Sequence, residues 1–425
     1  MRERVAIVEG VRTPFCKAMG VFRDLEADDL GAFSIRELIQ RVPFSPDEFN
    51  EVIIGNVMCP SHAYNVGRVM AVKGGVPDHV PAITVSRNCA SGMEALVIAA
   101  QRIELGLGDT YIAGGSESMS HVPILYNDRA RNWLFKLQKA KSFGQMLALF
   151  AKFRPSFLKP VIPAIADPLC GKTMGQTAEI LSRDFGITRE EQDQFAMNSQ
   201  KRAFKATEEG IMADELHPVP SPKTGKMQLV DDGVRGDQTL EQLLKLRPVF
   251  EKLTGTVTAG NSSQVTDGAA MLAVMKESKA KSLGLKPLGY LTAYSYVGLD
   301  PARMGLGPAF AIAKLLRETG MKLKDFELFE INEAFAAQVL AVRAALASEK
   351  FCLEKLSADG AIGELDLERL NVNGGAIALG HPLGGSGARI VLTLLKELKR
   401  RGQHRGIASM CVGGGQGEAV ALEVD

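Results

Sequence analysis

Two distant stretches of this chain share one pattern. Each has small residues leading into a run with apolar side chains at helical spacing, then a short apolar strand that ends in glycines. The first is "ASGMEALVIAAQRIELGLGDTYIAGG", residues 90–115, with Met93, Leu96, Val97, Ala100 and Ile103 on one helical face. The second is "GGSGARIVLTLLKELKRRGQHRGIASMCVGGG", residues 384–415, with Ile390, Leu394 and Leu398 four apart. Between them, "FELFEINEAFAAQVLAVRAAL" reads as a strand, a break and a helix, while "RVAIV" and "EVIIG" read as strands nearer the start. Alternating strands and helices imply parallel sheets covered by helices. The echo implies a duplicated α/β unit, one copy per half.

At 425 residues the chain exceeds one ordinary core, so two or more domains are expected, and 46% apolar residues can fill them. A formal net charge of +1 offers no global attraction to nucleic acid or to an anionic membrane. No run of eighteen apolar residues is present, and "MRERVAIVEG" reads as a first strand and not as a signal peptide. The six cysteines, at 16, 59, 89, 170, 352 and 411, form no C-x-x-C pair. Free thiols in a reducing compartment, and hence a cytoplasmic location, are the expectation.

The middle of the chain differs. Residues 124–165 carry eight Lys/Arg against one Asp, a local charge of +7. Within them Phe143, Met146, Leu147, Phe150 and Phe153 fall at helical spacing beside Lys152 and Arg154, a basic amphipathic segment. Turn-rich sequence follows from 214 to 252. Residues of roughly 120–250 therefore read as an insertion between the halves.

Four residues stand out chemically. Cys89 in "VSRNCASGMEA" sits where a strand meets a helix, and a helix N-terminus favours thiolate. It is either a nucleophile or a plain buried cysteine. His381 in "NVNGGAIALGHPLGGSGAR" sits on a glycine-rich loop and is either a structural histidine or a catalytic one. The glycine spacing there matches neither common nucleotide-binding pattern. Asn332 in "EINEAFAAQ" is either a helix N-cap, with Glu333 in the first turn, or an amide that holds a water or a carbonyl oxygen. Cys411 closes the last predicted strand. Separations of 292 and 30 residues among Cys89, His381 and Cys411 match no local zinc motif, so no metal is expected. "CPSH" at 59–62 reads as a loop coincidence.

Seven segments in order, "NCASGMEA", "GGSESMS", "MGQTAE", "GTVTAGNSSQVTDGAA", "NEAFA", "GGAIALGHPLGGSGAR" and "CVGGGQG", resemble the thiolase (acyl-CoA acetyltransferase) family over essentially the whole length. The long basic insertion is most similar to that of the thiolase subunit of trifunctional-type fatty-acid β-oxidation complexes. In membrane-associated versions of that subunit the "NEAFA" segment often starts with His; Asn332 follows the general family pattern.

The resemblance implies an α/β thiolase fold of two duplicated halves in five α-β-α-β-α layers. Residues 1–120 with 250–278 would form the N-terminal half, 121–249 the loop-domain insertion and 279–425 the C-terminal half. It implies cleavage of 3-ketoacyl-CoA by CoA, or condensation of two acetyl-CoA, with coenzyme A as co-substrate and no permanently bound cofactor. By likeness, Cys89 accepts the acyl group, His381 activates it, and Cys411 exchanges a proton with the acetyl-CoA α-carbon. Asn332 would hold a water that forms one oxyanion hole with His381, while the N–H groups of Cys89 and Gly413 form the other. Met174, Phe250, Ser263 and Phe335 would line the pantetheine tunnel. Two departures affect that lining: Thr173 where many thiolases have His, and Gln264 where glycine is common. The alternatives are a 3-ketoacyl synthase-like condensing enzyme and a non-catalytic acyl-CoA-binding subunit of a β-oxidation complex. A synthase uses Cys with two His, and Cys411 stands in the second place. Expected partners are acyl-CoA substrates and further copies of the chain, as homodimer or homotetramer. A hydratase/dehydrogenase subunit and a peripheral membrane contact through 124–165 are further candidates.

Overall fold

The structure is a computed structural model that describes residues 3–161 and 166–425. One sheet runs in the order Leu328–Ile331, Arg405–Val412, Gln416–Glu423, Gly289–Gly298, Val5–Arg12, Thr266–Lys276, Thr110–Glu117, Glu51–Gly55 and Ala82–Val85. The two-residue strand Cys16–Lys17 pairs with the start of Thr266–Lys276. The expected parallel arrangement holds only at the two ends, where Glu51–Gly55 pairs with both its neighbours and Leu328–Ile331 with Arg405–Val412. The rest of the ladder is antiparallel. Helical crossovers connect the parallel strands, whereas Gln416–Glu423 is reached through a three-residue turn that needs no crossover. The sequence pattern stops at Cys411 and does not anticipate this last strand.

The duplication is visible in the ladder. Glu51–Gly55, Thr110–Glu117, Thr266–Lys276 and Val5–Arg12 lie side by side with one parallel and two antiparallel pairings. Leu328–Ile331, Arg405–Val412, Gln416–Glu423 and Gly289–Gly298 repeat that order and those pairings. The two sets join where Val5–Ile7 pairs with Gly289–Leu291. In the first set the chain spends residues 118–265 between two neighbouring strands; in the second, Gly413–Gly415 suffices.

Alternation of side chains across each strand builds three apolar layers. Ile53, Ala113 and Leu272 from one set and Ala408, Met410 and Leu422 from the other face a shared middle layer, which holds the helices Ser91–Glu104 and Leu383–Arg401. The opposite faces are covered by Ala27–Arg41 with Val66–Lys73 on one side, and by Gly307–Thr319 with Ala336–Ala347 on the other. This is the five-layered α-β-α-β-α order. The middle helices are buried nearly all round, as a helix covered on both sides by strands must be. Their glycines permit the close approach: a Cβ on Gly92 would lie 2.5 Å from the Gly384 carbonyl oxygen, and one on Gly387 2.3 Å from the Met93 nitrogen.

The insertion is anchored by a buried ion cluster. Arg12 on the first strand donates from Nε to Glu215 at 2.6 Å and from both terminal nitrogens to Asp231 at 2.7 and 2.9 Å. All three side chains are buried. Removing one partner would strand a charge, at a cost of about 3–5 kcal/mol. Farther out, the basic segment forms the helices Asp128–Gln138 and Phe143–Ala151. Trp133 holds them together, donating from Nε1 to the Leu149 carbonyl at 2.8 Å and packing on Phe150, Phe153 and Phe157. Phe153 lies past the end of the helix and turns onto Trp133. Phe143, Leu147 and Phe150 remain 76%, 62% and 54% exposed. Residues 162–165, the end of the 124–165 segment, lie outside the described residues. No helix among the described residues is long and apolar enough to cross a membrane.

Candidate active site

Cys89 lies on the turn between the strand Ala82–Val85 and the helix Ser91–Glu104. Burial pushes its thiol pKa up, while its own N–H and that of Gly413 both act on the sulfur in the opposite sense. Both backbone N–H groups are near enough to favour the thiolate. Cys411, fully buried near the end of Arg405–Val412, is also raised, by burial first and then by the charge of Cys89. The two thiols therefore sense each other.

His381 lies on the turn between the helices Ala376–Leu379 and Leu383–Arg401. Its position mirrors that of Cys89 at the start of the other middle helix. Its Nδ1 is 2.6 Å from Ser386 Oγ, and its Nε2 is 3.2 Å from Asn332 Nδ2. The hydroxyl of Ser386 also donates to the Pro382 carbonyl at 2.9 Å. A carbonyl only accepts, so the single hydroxyl proton is committed there and Nδ1–H must donate to Oγ. This network assigns the tautomer: Nδ1 carries the proton, and the Nε2 lone pair, which accepts from the Asn332 amide, is the basic site. Burial, with a contribution from Arg389, pushes the His381 pKa down to about 3.

The resting pair is accordingly thiol and neutral imidazole. Alkylation of Cys89 by iodoacetamide should keep rising with pH through 9; a rate already flat above pH 6 would instead reveal a preformed ion pair. The depressed His381 pKa also has a stability consequence. The unfolded chain protonates this histidine below about 6.5 while the native state does not, so its contribution is lost as pH falls from there towards 3.

Asn332 caps no helix. It directly follows the strand Leu328–Ile331, and the N-cap of Ala336–Ala347 is Phe335. Its Oδ1 is buried with no protein partner, so it can accept from a water. Glu333 is likewise absent from the helix's first turn. It is buried and accepts from Ser199 at 2.7 Å, Asn371 at 2.9 Å and the Ile377 N–H at 3.2 Å.

Phe250 and Phe335 meet edge to face at 6.1 Å, and with Met174 they share an apolar cluster with Cys411. Ser263 is tied beside them through its N–H to the Ala334 carbonyl at 2.9 Å. Thr173 serves as the N-cap of Met174–Asp184, in a capping box with Gln176. Gln264 accepts the His381 N–H on its carbonyl, and its amide donates to Ile377 and Ala378. The residue that departs from the family pattern therefore pins the histidine loop.

Glu117 also belongs to the site, and its signal in the sequence is a carboxylate closing the apolar strand Thr110–Glu117. It accepts from Asn56 Nδ2 and from the N–H groups of Val57, Met58 and Gly384, all between 2.9 and 3.0 Å. Burial pushes its pKa up to about 7 against those four donors, and its charge raises the pKa of Cys89. It ties the 56–58 loop to the start of the second middle helix. "CPSH" forms no Cys–His pair: Cys59 donates to nearby carbonyls, while His62 lies between Glu26 at 3.1 Å and Asp28 at 3.3 Å. The Lys73 ammonium already pairs with Asp28.

The "VGGGQ" turn explains its glycines separately. Gly414 and Gly415 adopt φ of +87° and +75°, and a Cβ on Gly415 would lie 2.3 Å from the Leu299 carbonyl oxygen. A Cβ on Gly413 meets nothing closer than Asn88 Nδ2 at 3.5 Å and Met174 Sδ at 3.7 Å. Gly413→Ala should therefore keep the melting temperature within a few degrees yet lower turnover by obstructing space beside Met174. Gly415→Ala should lower the melting temperature outright. Thermal melts and initial rates on the two variants check this contrast.

Five layers with a pair of thiols at one site define an α/β protein equipped for covalent chemistry on sulfur. Its residues 5–278 match the family model described as thiolase, N-terminal domain, and 285–424 match thiolase, C-terminal domain. The chain belongs to the thiolase family. It is 41% identical over 423 residues to a 3-ketoacyl-CoA thiolase of Pectobacterium carotovorum, covering 99% of this chain and 97% of that one. A Yersinia enterocolitica 3-ketoacyl-CoA thiolase is 39% identical, covering 100% and 97%. Among solved structures, the Bacillus anthracis acetyl-CoA acetyltransferase superposes with a TM-score of 0.85 at 38% identity, over 99% of each chain. Human mitochondrial 3-ketoacyl-CoA thiolase in complex with CoA gives 0.84 at 37%, over 100% of this chain and 98% of that one.

Proposed function

We propose that this protein cleaves 3-ketoacyl-CoA with CoA, giving acetyl-CoA and an acyl-CoA shortened by two carbons, and runs the reverse condensation on two acetyl-CoA. The observation that carries this reading is the 2.8 Å bond from the Asn88 amide to the Gly413 carbonyl, which sets the turn that follows Cys411 against the residue that precedes Cys89 and so brings both thiols to one site.

Each step uses a group already described. The Cys89 proton passes to Nε2 of His381, and the thiolate adds to the C3 carbonyl carbon. The oxygen on C3 becomes negative beside the N–H groups of Cys89 and Gly413. Preorganised donors of this kind are each worth roughly 2.7–4 kcal/mol. The C2–C3 bond then breaks, leaving the acyl group on Cys89 and an enolate of acetyl-CoA. Cys411 protonates that enolate at carbon, and its oxygen is held by His381 and by a water on Asn332 Oδ1. After acetyl-CoA leaves, the thiol of a CoA gives its proton to the Cys411 thiolate and attacks the acyl-Cys89 thioester; the C–S bond to Cys89 breaks, and the departing Cys89 thiolate takes back the proton held on His381. The apolar cluster of Met174, Phe250 and Phe335, with Ser263 beside it, suits the pantetheine arm.

Residues 1–120 with 250–278 and residues 279–425 act as the two halves, and 121–249 as a loop domain over the site. Ala82–Val85 is an edge strand that leads directly into the Cys89 turn, so pairing with a second copy would cover that edge. A homodimer, or a tetramer built from it, is the proposed assembly. The exposed apolar face at Phe143, Leu147 and Phe150, within a segment of charge +7, suits an anionic membrane surface. Failure to float with anionic liposomes at any salt concentration would remove that contact. The function itself is tested by CoA-dependent loss of 3-ketoacyl-CoA substrates from four to sixteen carbons. No turnover at any length would overturn it.

A further inference from the structure

We propose that Asn88 and Asp167 are positioning residues that hold the Gly413–Gly414 peptide from its two sides and so keep the Gly413 N–H aimed at the Cys89 sulfur. This rests on the reading of Gly413 as an oxyanion donor.

The Asn88 Nδ2 donates to the Gly413 carbonyl at 2.8 Å, and the Gly414 N–H donates to Asp167 Oδ2 at 2.8 Å. That carbonyl and that N–H belong to one planar peptide. Rotating the plane breaks both bonds together, so the pair fixes its orientation. The Gly413 Cα is the only pivot between this peptide and the one carrying the Gly413 N–H. Glycine supplies no side chain to restrain that pivot, so the restraint must come from outside.

Both holders are themselves fixed. Asn88 has a φ of +43°, a region in which asparagine is enriched, and this turns its amide towards the Gly413 loop. Asp167 is buried, its Oδ1 accepts the Leu169 N–H at 2.8 Å, and its backbone closes a turn with Gly171 and Lys172. One holder precedes the nucleophile in the first half, and the other comes from the insertion. The turn they hold lies in the second half, so the donor geometry depends on all three parts of the chain. Asn88 is exposed, so changing it opens no core cavity.

The test uses Asn88→Asp, Asn88→Gly and Asp167→Ala in the full chain. Aspartate matches asparagine in size and tolerates the same φ, but a carboxylate cannot donate to the carbonyl. Glycine keeps the φ and removes the amide. A misplacement of about 1 Å in such a site costs on the order of a hundredfold in rate. All three variants should lose roughly tenfold to a hundredfold in kcat, with KM for CoA and for 3-ketoacyl-CoA changed less than about threefold. The pH of half-maximal Cys89 alkylation by iodoacetamide should move up, because the thiolate loses an aligned N–H. Variants that only melt earlier, with the wild-type alkylation profile, would overturn the proposal. So would Asn88→Asp with kcat and alkylation within twofold of wild type. If alkylating Cys89 in the wild type leaves thiolysis intact, the catalytic reading falls and this inference with it. Unchanged Asn88→Asp behaviour, in a wild type that iodoacetamide inactivates, overturns this inference alone.

Discussion

Replacing Cys89 with alanine should abolish thiolysis and condensation alike, with a loss of roughly 10⁵-fold or more, the order seen when a catalytic nucleophile is removed. Both directions pass through the same thioester, so neither can survive without its sulfur. The reporter is mass spectrometry of the intact protein after incubation with acetyl-CoA. The wild type should gain one acetyl group, and Cys89→Ala should gain none. Acetyl loading of the alanine variant would mean that another residue accepts the acyl group. Folding is not the confounder here: Cys89 lies at the edge of the middle apolar layer, not at its centre, and the neighbouring Ala90, Met93 and Leu96 hold the helix in place. The variant should melt within a few degrees of the wild type.

Changing Cys411 should separate two steps that Cys89 joins. Cys411→Ser and Cys411→Ala should still load acetyl on Cys89, yet exchange of the acetyl-CoA α-hydrogens with solvent should fall by roughly 10²–10⁴, the range for a lost general acid–base group. Two variants are needed for a physical reason. Cys411 is fully buried among Val257, Met304, Phe335 and Ala337, where a serine hydroxyl has no partner and costs about 1–3 kcal/mol. Alanine carries no such penalty. Loss of exchange in both variants, with loading retained, is the signature of a missing base. Normal exchange in either one removes Cys411 from that role. The raised pKa of Cys411 fits removal of the α-proton, because a thiolate whose pKa is pushed up by burial is the stronger base.

Much of the site is legible in the linear chain. Cys89 and His381 each sit just before a middle helix, and each was marked by small residues around a reactive side chain. The echo between residues 90–115 and 384–415 is the trace of a duplicated unit, and the ladder repeats that unit strand for strand. The reading of Asn332 as a helix cap failed because local sequence places an Asn-Glu pair before an apolar helix in either case. Only the partner across the site, His381 Nε2 at 3.2 Å, decides between the two. The expectation of parallel strands failed in the middle of the ladder, both where Gln416–Glu423 returns through a three-residue turn and where Thr266–Lys276 comes back antiparallel after the long insertion.

Local sequence determined what depends on near neighbours: the helical faces, the strands, the reactive side chains at their ends and the glycines that let two helices touch. These follow from periodicity and from steric limits within a few residues. Only the tertiary structure decided what depends on groups far apart in the chain. It committed the Ser386 proton, and with it the tautomer of His381. It gathered four donors on Glu117 from two separate segments, and it brought Asn88 and Asp167 to either side of one peptide near the C-terminus. A hydrogen bond acts over about 3 Å of space whatever the separation in sequence, so its partners are known only once the layers have closed.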